Sequence, residues 1–242
     1  MSLAFDIESI PDDYVLSQPA ERAWVEQAAA KREMTAEQYC QLCPPLAKPY
    51  CIGYCRDMAV PVIEVLYDAS DYGLADNTEW TLNATGRKLV NVAPVPCKFI
   101  PCSDERELLT KFAEQVALNT RGPLITFNGR SYDLLVLWHR LRRAGMKSPG
   151  IEGALHEKRW DHNYSDDLQD VVTFNGVGGR WPMAAYALGH RLHFSKGEID
   201  GANLLPALQA GKVDEVLAYN CGDVECTRQL WMHLHGQEVG RS

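Results

Sequence analysis

The sequence predicts an α/β fold in which a mixed β-sheet of about five strands is flanked by helices. Strand-like segments begin at Leu3, Ile52 and Pro123, and helix-forming segments separate them. The run 123–127 is apolar throughout, as in a buried parallel strand. The chain has 242 residues and 46% hydrophobic content, which is enough for one large core. We therefore expect a single domain that spans residues 1–242.

The first predicted strand is Leu3-Ala4-Phe5-Asp6-Ile7-Glu8. Because side chains alternate along a strand, Asp6 and Glu8 share one face, about 6–7 Å apart. Two carboxylates this close repel each other unless a cation lies between them, and hard divalent cations such as Mg²⁺ bind oxygen ligands of this kind. A metal site and a water-facing acidic strand are both compatible with this segment alone.

Residues 9–50 are predicted to form a helical insertion after the first strand. The segment 19–31 opens with a proline and is rich in strong helix formers. Thr35 and Gln38 have the spacing of a capping box, which predicts a second, shorter helix.

Eight cysteines without a secretion signal favour reduced thiols and a cytoplasmic protein. Four of them are close together, and a structural zinc ion could use them. Two observations argue against zinc. The spacing between the two pairs is shorter than zinc-binding motifs usually need, and cysteines in a strand-like run are commonly small buried residues. The four are Cys40, Cys43, Cys51 and Cys55. No run of 18 apolar residues predicts a membrane span.

The middle of the chain is predicted to supply further strands and a helix. Residues 52–67 contain a β-branched run long enough for a bent strand or hairpin, and another strand is expected at about 79–84. Prolines 94 and 96 indicate a connection. Ser103 and the acids after it are expected to cap a helix that ends near Asn119.

The segment 123–127 leads through Asn128-Gly129 into a helix predicted at 131–144. This order of strand, tight turn and helix places functional groups at the C-terminal edge of a sheet. Asp133 falls in the first turn of the helix, where it could also simply stabilise the helix dipole. The arginines 140, 142 and 143 are expected on the solvated face.

The last third of the chain is predicted to contain loops at 150–181, with a strand at 168–172, and then helices. One helix begins at Pro182 and another spans about 213–235. In the latter, Tyr219 and Asp223 are four residues apart and share one face. This pair alone is more typical of a structural arrangement than of a catalytic one.

Three segments, in order, resemble the three exonuclease motifs of the DEDDy family of proofreading-type nucleases, which have a ribonuclease H-like fold. They are Phe5-Asp6-Ile7-Glu8, Asn128-Gly129-Arg130-Ser131-Tyr132-Asp133 and Tyr219-x3-Asp223. Within this family the chain is similar to the predicted 3′-5′ exonucleases related to the exonuclease domain of family B DNA polymerases. Segments 9–12, 167–168 and 195–201 also resemble that group, so the resemblance covers nearly the whole chain.

The resemblance implies one exonuclease domain with a ribonuclease H-like mixed five-stranded sheet. It also implies that four carboxylates ligate two divalent ions, Mg²⁺ or Mn²⁺, with Tyr219 close to the attacking water. The four are Asp6, Glu8, Asp133 and Asp223. Two ions about 3.5–4 Å apart can clamp the nucleophilic and leaving oxygens of a phosphoryl displacement, which is consistent with this assignment.

Substrate contacts are expected within or beside the matching motifs, from Asn128, Arg130 and Lys196. Asn128 could equally be a turn residue, whereas Arg130 and Lys196 are candidate phosphate contacts. Asp167 is expected to be a supporting acid, although a shifted alignment would exchange its role with Asp166 or Asp170.

The sequence thus favours a metal-dependent 3′-5′ exonuclease that acts on the 3′ ends of single-stranded DNA. The net charge of −8 is unusual for a nucleic-acid-binding protein, but carboxylates loaded with divalent ions form a locally positive site. Two alternatives are RNA 3′ trimming and a non-catalytic subunit that binds nucleic acid or a polymerase, with a replication or repair protein as a candidate partner. The complete acidic set argues against a non-catalytic scaffold, which has no need of an uncompensated acidic cluster.

Overall fold

Seven strands form one mixed sheet in the part of the chain that the computed structural model describes, residues 2–82, 94–119, 122–190, 192, 199, 201 and 203–237. The strand order is β4-β5-β3-β2-β1-β6-β7. The strands are β1 (Leu3–Pro11), β2 (Ala47–Cys55), β3 (Ile63–Asp68), β4 (Glu79–Leu82), β5 (Val95–Cys102), β6 (Leu124–Thr126) and β7 (Ser165–Asp167). β1 is central, antiparallel to β2 and parallel to β6.

The predicted mixed α/β class is confirmed, and the sheet has two strands more than expected. Five strands, β3-β2-β1-β6-β7, form a mixed core, while β5 and β4 extend the sheet beyond β3. β5 occupies the segment that its prolines suggested was a connection. Pro96 is tolerated because it lies at the start of β5, before the pairing with β3 begins at Cys97. Val95, Cys97 and Phe99 are buried and alternate with exposed residues.

Helices cover both faces of the sheet. They are α1 (Asp13–Ser17), α2 (Pro19–Ala30), α3 (Ala36–Leu42), α4 (Ala69–Tyr72), α5 (Glu105–Leu118), α6 (Asp133–Arg143), α7 (Pro149–His156), α8 (Leu168–Val172), α9 (Met183–Gly189), α10 (Leu204–Gln209) and α11 (Val213–Leu234). None of the described helices is both long enough and apolar enough to cross a lipid bilayer.

Alternation along β1 separates its apolar and acidic side chains. Phe5 and Ile7 pack into the core formed with α5, α6 and α7, and the ring centroids of Phe5 and Phe112 are 5.1 Å apart. The intervening residues face the opposite layer, where α11 covers β1, β2 and β3. This geometry turns Asp6 and Glu8 towards α11.

The insertion predicted at 9–50 consists of α1, α2 and α3. Its first residues, 9–11, belong to β1, and its last residues, 47–50, belong to β2. Thr35 and Gln38 form the predicted capping box. Asp12 fastens the insertion to α6, because its carboxylate accepts hydrogen bonds from Arg140 (2.5 Å) and Arg143. Arg140 is buried, so its predicted place on a solvated face is wrong.

Two predictions about the segment 150–181 are also wrong. Residues 168–172 form the helix α8, and the neighbouring strand β7 ends just before them. Asp167 accepts the Gln169 N–H (3.1 Å) and so caps the helix, whereas a short apolar run does not by itself distinguish helix from strand. The predicted loop also contains α7, which packs against α5 and α6.

Candidate active site

The first and third motifs meet where α11 crosses β1. One carboxylate oxygen each from Asp6, Glu8 and Asp223 lies within 4.8 Å of the other two. Among the described residues, no other group of three or more acidic, cysteine or histidine side chains converges this closely. The structure therefore brings together carboxylates that are more than 200 positions apart in the sequence.

Asp133 joins this group from the first turn of α6. β6 ends at Thr126 while β1 continues to Pro11, so the N–H of Ile7 is free of a partner on β6. Asp133 Oδ1 accepts this N–H at 3.2 Å, which fixes its carboxylate between Asp6 and Glu8 along the strand. Asp133 thus lies near the three converging carboxylates and its charge acts on Asp6 and Glu8, although it is not one of the three that lie within 4.8 Å of one another.

The electrostatics of the four carboxylates fit a cation site. Burial raises the pKa of Asp6 and of Glu8 well above their ordinary values, and repulsion from neighbouring carboxylates raises it further. Burial also raises the pKa of Asp133 to about 7, against the hydrogen bond from Ile7. Carboxylate oxygens whose mutual repulsion a cation relieves are suited to hard divalent ions such as Mg²⁺ and Mn²⁺.

Tyr219 lies one helical turn before Asp223 on α11, and its hydroxyl group hydrogen-bonds with the Asp223 carboxylate. Burial raises the pKa of Tyr219, and the negative charge of Asp223 raises it further. The phenol is therefore neutral at neutral pH and keeps a proton that it can donate in a hydrogen bond.

Asn220 is a functional residue that the sequence analysis missed. Its side chain is fully buried, and its Nδ2 donates to Asp6 Oδ2 (2.9 Å) and to the Asp6 carbonyl oxygen (3.3 Å). Gly53, which pairs with Asp6 across the β1–β2 ladder, makes this contact possible. A Cβ atom at Gly53 would lie 2.1 Å from Asn220 Oδ1. A glycine inside an otherwise regular strand is the sequence signal for such a close approach.

Asp167 holds the turn of the second motif. Its two carboxylate oxygens accept the N–H groups of Asn128 (2.8 Å) and Arg130 (3.0 Å), as expected of a supporting acid. Asn128 adopts a left-handed conformation (φ 66°), so it is a turn residue whether or not it also contacts substrate. The turn also needs a glycine at position 129, because a Cβ atom there would lie only 2.4 Å from Thr126 Oγ1.

The two residues that could exchange roles with Asp167 in a shifted alignment have other partners. Asp166 Oδ2 accepts the indole N–H of Trp231 at 2.8 Å. Asp170 Oδ1 lies 3.7 Å from Arg159 Nη1. The alignment with Asp167 as the supporting acid agrees with these contacts.

The insertion contacts Tyr132, which is the residue before Asp133. The Tyr132 hydroxyl group hydrogen-bonds with the Ser9 hydroxyl group and with the carbonyl oxygen of Gln41 on α3. Gln41 Nε2 in turn donates to the carbonyl oxygen of Gly201 (2.8 Å). These contacts couple the start of α6 to the insertion.

Of the two predicted phosphate contacts, Arg130 and Lys196, the structure describes only Arg130. Arg130 is engaged inside the protein, because its Nη1 donates to the Glu157 carbonyl oxygen (2.7 Å) and its side chain is 10% exposed. This pairing argues against the predicted phosphate contact. Lys196 lies outside the described residues.

The thiols of the four clustered cysteines do not converge on one point in the described structure. Cys40 packs with Val25 in the small core of the insertion, whereas Cys51 and Cys55 pack beneath α11. None of them belongs to a converging group of ligands. Their burial agrees with the interpretation as small apolar residues.

Comparison with known families adds an independent observation. The family model for the predicted 3′-5′ exonucleases related to the exonuclease domain of PolB matches residues 88–238. No curated protein matches the chain. The matched range contains Asp133, Tyr219 and Asp223, but it does not contain Asp6 or Glu8.

Proposed function

The chain belongs to the family of predicted 3′-5′ exonucleases related to the exonuclease domain of PolB, and on that premise we propose that it hydrolyses phosphodiester bonds at the 3′ ends of single-stranded DNA. One observation carries the proposal. The carboxylates of Asp6 and Glu8, outside the matched range, converge with Asp223, inside it. The structure therefore adds two carboxylates from outside the matched range to one from within it, which supports the proposal.

We assign Asp6, Glu8, Asp133 and Asp223 as the residues that hold two divalent ions, Mg²⁺ or Mn²⁺. When bound, such ions lower the pKa of water and stabilise negative charge on the leaving oxygen. The protein positions these ligands with neutral donors. Asn220 holds Asp6, and the Ile7 N–H holds Asp133.

Tyr219 is assigned to the attacking water. The neutral phenol has one proton, which it shares with Asp223 in this structure. When the Asp223 carboxylate is engaged by a metal ion, the phenol can instead donate that proton in a hydrogen bond to the water oxygen and orient a lone pair towards phosphorus. Tyr219 and Asp223 lie on the same face of α11, so a water molecule held near the Asp223 carboxylate is also near the Tyr219 hydroxyl group. The proposed substrate contacts are Asn128, in the turn before Asp133, and Lys196.

The test is degradation of single-stranded DNA and RNA oligonucleotides of matched sequence, labelled at the 5′ end, with Mn²⁺ present. We expect a ladder that shortens from the 3′ end of DNA and no reaction in EDTA. Asp133→Asn should abolish cleavage, whereas Asp13→Asn, an exposed acid in α1, should not change it. Single-stranded circles should remain intact.

Other outcomes of this experiment would redirect the proposal. Faster shortening of the RNA strand would identify RNA 3′ trimming. Binding of both strands without cleavage would indicate the non-catalytic alternative. Activity in EDTA, or cutting of the circles, would contradict the assigned chemistry or polarity.

A further inference from the structure

The segment 173–181, here named the aromatic loop, exposes large apolar side chains beside the candidate active site. The exposed fractions are 78% for Phe174, 88% for Val177 and 61% for Trp181. Exposed apolar side chains that occur singly are ordinary, whereas three within eight residues concentrate exposed apolar surface on one loop, which is a feature of binding surfaces.

The aromatic loop has a defined conformation. It is built on the buried residue Thr173, whose Oγ1 donates to the Gln169 carbonyl oxygen (2.6 Å) and accepts the Gly176 N–H (3.0 Å). The Thr173 carbonyl oxygen accepts the Gly178 N–H (2.9 Å). Phe174 adopts a left-handed conformation (φ 50°), which is unfavourable for an aromatic residue and is typical of functional sites. The loop therefore presents its exposed ring on an ordered backbone.

Contacts connect the aromatic loop with the second motif. Arg180 Nη1 donates to Ser131 Oγ at 3.3 Å, and Ser131 is two residues before Asp133. The loop also follows α8, which begins directly after Asp167, the residue that holds the turn at Asn128. The aromatic loop is thus attached to the C-terminal edge of β6 and β7, the same edge from which the second motif leads to Asp133.

The charge of this part of the chain suits a polyanion. Residues 171–197 contain no aspartate or glutamate, although the chain has 32 of these residues and a net charge of −8. Within its described part, residues 171–190, the exposed Arg180 is a candidate partner for phosphate. This stretch therefore adds no carboxylate that would repel phosphate.

We propose that the aromatic loop is a stacking surface for the bases of single-stranded nucleic acid that leads into the carboxylate site, an inference that rests on the proposed function. Phe174 and Trp181 stack on bases, and Arg180 contacts the phosphate backbone. Every base has a π-face, so stacking on aromatic side chains tolerates any sequence, as an enzyme that shortens strands stepwise requires. Occupation of this surface by a protein is the competing outcome.

The binding test needs no catalysis. Fluorescence anisotropy of labelled oligo(dT), about 12 nucleotides long, is measured in EDTA. Phe174→Ala and Trp181→Ala should each raise Kd about tenfold, while Trp181→Phe should retain most of the affinity. Leu118→Ala removes a side chain that is 67% exposed at the C-terminal end of α5. This position is close to the beginning of β6, whereas the aromatic loop is attached at the end of β6, so Kd should not change. Unchanged Kd in the double variant Phe174→Ala/Trp181→Ala would overturn the proposal and favour a protein ligand.

A second measurement separates the stacking surface from the carboxylate site. The p-nitrophenyl ester of thymidine 5′-phosphate is too short to span the aromatic loop. The Phe174→Ala and Trp181→Ala variants should hydrolyse it with Mn²⁺ at the wild-type rate, yet show about tenfold higher KM for oligo(dT). Wild-type KM for oligo(dT) in these variants would refute the stacking surface and leave the exonuclease intact. If the wild type cleaves neither substrate, the proposed function fails, and the EDTA binding experiment alone decides the role of the loop.

Discussion

At the scale of single residues, the four carboxylates differ in what else they do for the fold. Asp133 accepts a backbone N–H of β1, whereas Asp6 accepts a hydrogen bond from the side-chain amide of Asn220. Removing Asp133 therefore removes both a ligand and the partner of a buried donor. The identity of the replacement then decides whether the variant is merely inactive or also unstable.

We expect Asp133→Ala to lower the free energy of unfolding in EDTA by about 1–3 kcal/mol, because it leaves the Ile7 N–H without a partner. Asp133→Asn keeps an acceptor oxygen and should be no less stable than the wild type. Both variants should lack exonuclease activity. Urea denaturation of the three proteins, each without metal, gives the comparison. Equal stability of the two variants would mean that the Ile7 contact contributes nothing.

Tyr219→Phe deletes only the hydroxyl group that lies next to Asp223. We expect turnover to fall on the order of 10²-fold, the lower part of the range for a positioned acid-base group, while affinity for metal stays near that of the wild type. Single-turnover hydrolysis combined with Mn²⁺ titration measures both quantities. Asp223→Asn serves as the contrast, since it should weaken metal binding as well. A wild-type rate in Tyr219→Phe would reduce the phenol to a packing residue.

At the scale of secondary-structure elements, the distance between α11 and β2 depends on Gly53. A methyl group there would overlap Asn220 and press on Val224, so Gly53→Ala should lower the free energy of unfolding by about 1–3 kcal/mol. The displaced Asn220 would release Asp6, and loss of such a supporting contact costs about 10–100-fold in activity or metal affinity. Gly189→Ala is the matched control, because a Cβ atom at Gly189 would meet nothing within 4 Å. Activity equal to that of the control would show that α11 can move without disturbing Asp6.

The attachment of the insertion to α6 should depend on pH. Burial by itself raises the pKa of Asp12, but the hydrogen bonds and charges of Arg140 and Arg143 outweigh it and hold the pKa below its ordinary value. The ion pair therefore adds stability above the unfolded-state pKa of about 4, and this contribution is lost as the pH falls through the folded-state pKa.

Asp12→Asn should thus lower the free energy of unfolding by about 3 kcal/mol at neutral pH, and the difference from wild type should shrink below about pH 4. Urea denaturation at a series of pH values tests both statements. Asp13→Asn, at the neighbouring exposed position, is the control for the charge alone. A difference that does not change with pH would contradict the role of the ion pair.

Some elements could be predicted from the sequence because their signals are local. The capping box at Thr35 and the strand, turn and helix around Asn128 are decided by a few adjacent residues. β5 could not be predicted in this way, because Pro96 is compatible with a strand only where β3 needs no hydrogen bond from it, and that register is set by the tertiary structure. Asp167 is both the last residue of β7 and the N-cap of α8. Its presence in the sequence therefore does not show whether the residues after it continue a strand or begin a helix.

At the scale of the whole molecule, the acidic character of the chain should limit its dependence on salt. For single strands, log K falls with log salt by about 0.7 for each phosphate contact. A protein with net charge −8 that contacts two or three phosphates should show a slope of about −2. Oligo(dT) binding measured in EDTA over a range of NaCl concentrations gives this slope. A slope near −10, typical of proteins with many phosphate contacts, would contradict the sparse basic surface.

The candidate site was predictable where it depends on motifs and unpredictable where it depends on tertiary pairing. The resemblance of the three motifs to the exonuclease family, and not the spacing within any one motif, implied that Asp6, Glu8, Asp133 and Asp223 are neighbours. The partner of Arg130 is Glu157, which the chain brings close only through α7, so its engagement could not be read from the motif. Asn220 likewise had no visible partner until α11 was placed on β1.

The hydrogen bond between Asn220 and Asp6 joins positions that are 214 residues apart. Closing so long a loop is entropically unfavourable until the intervening chain is ordered, so contacts of this kind form late in folding. β1 is at the centre of the sheet, yet its acidic face is completed only when α11 docks onto it. We therefore expect the acidic site to be among the last parts of the molecule to be completed as the chain folds, so that a partly folded chain lacks the proposed metal ligands in their final arrangement.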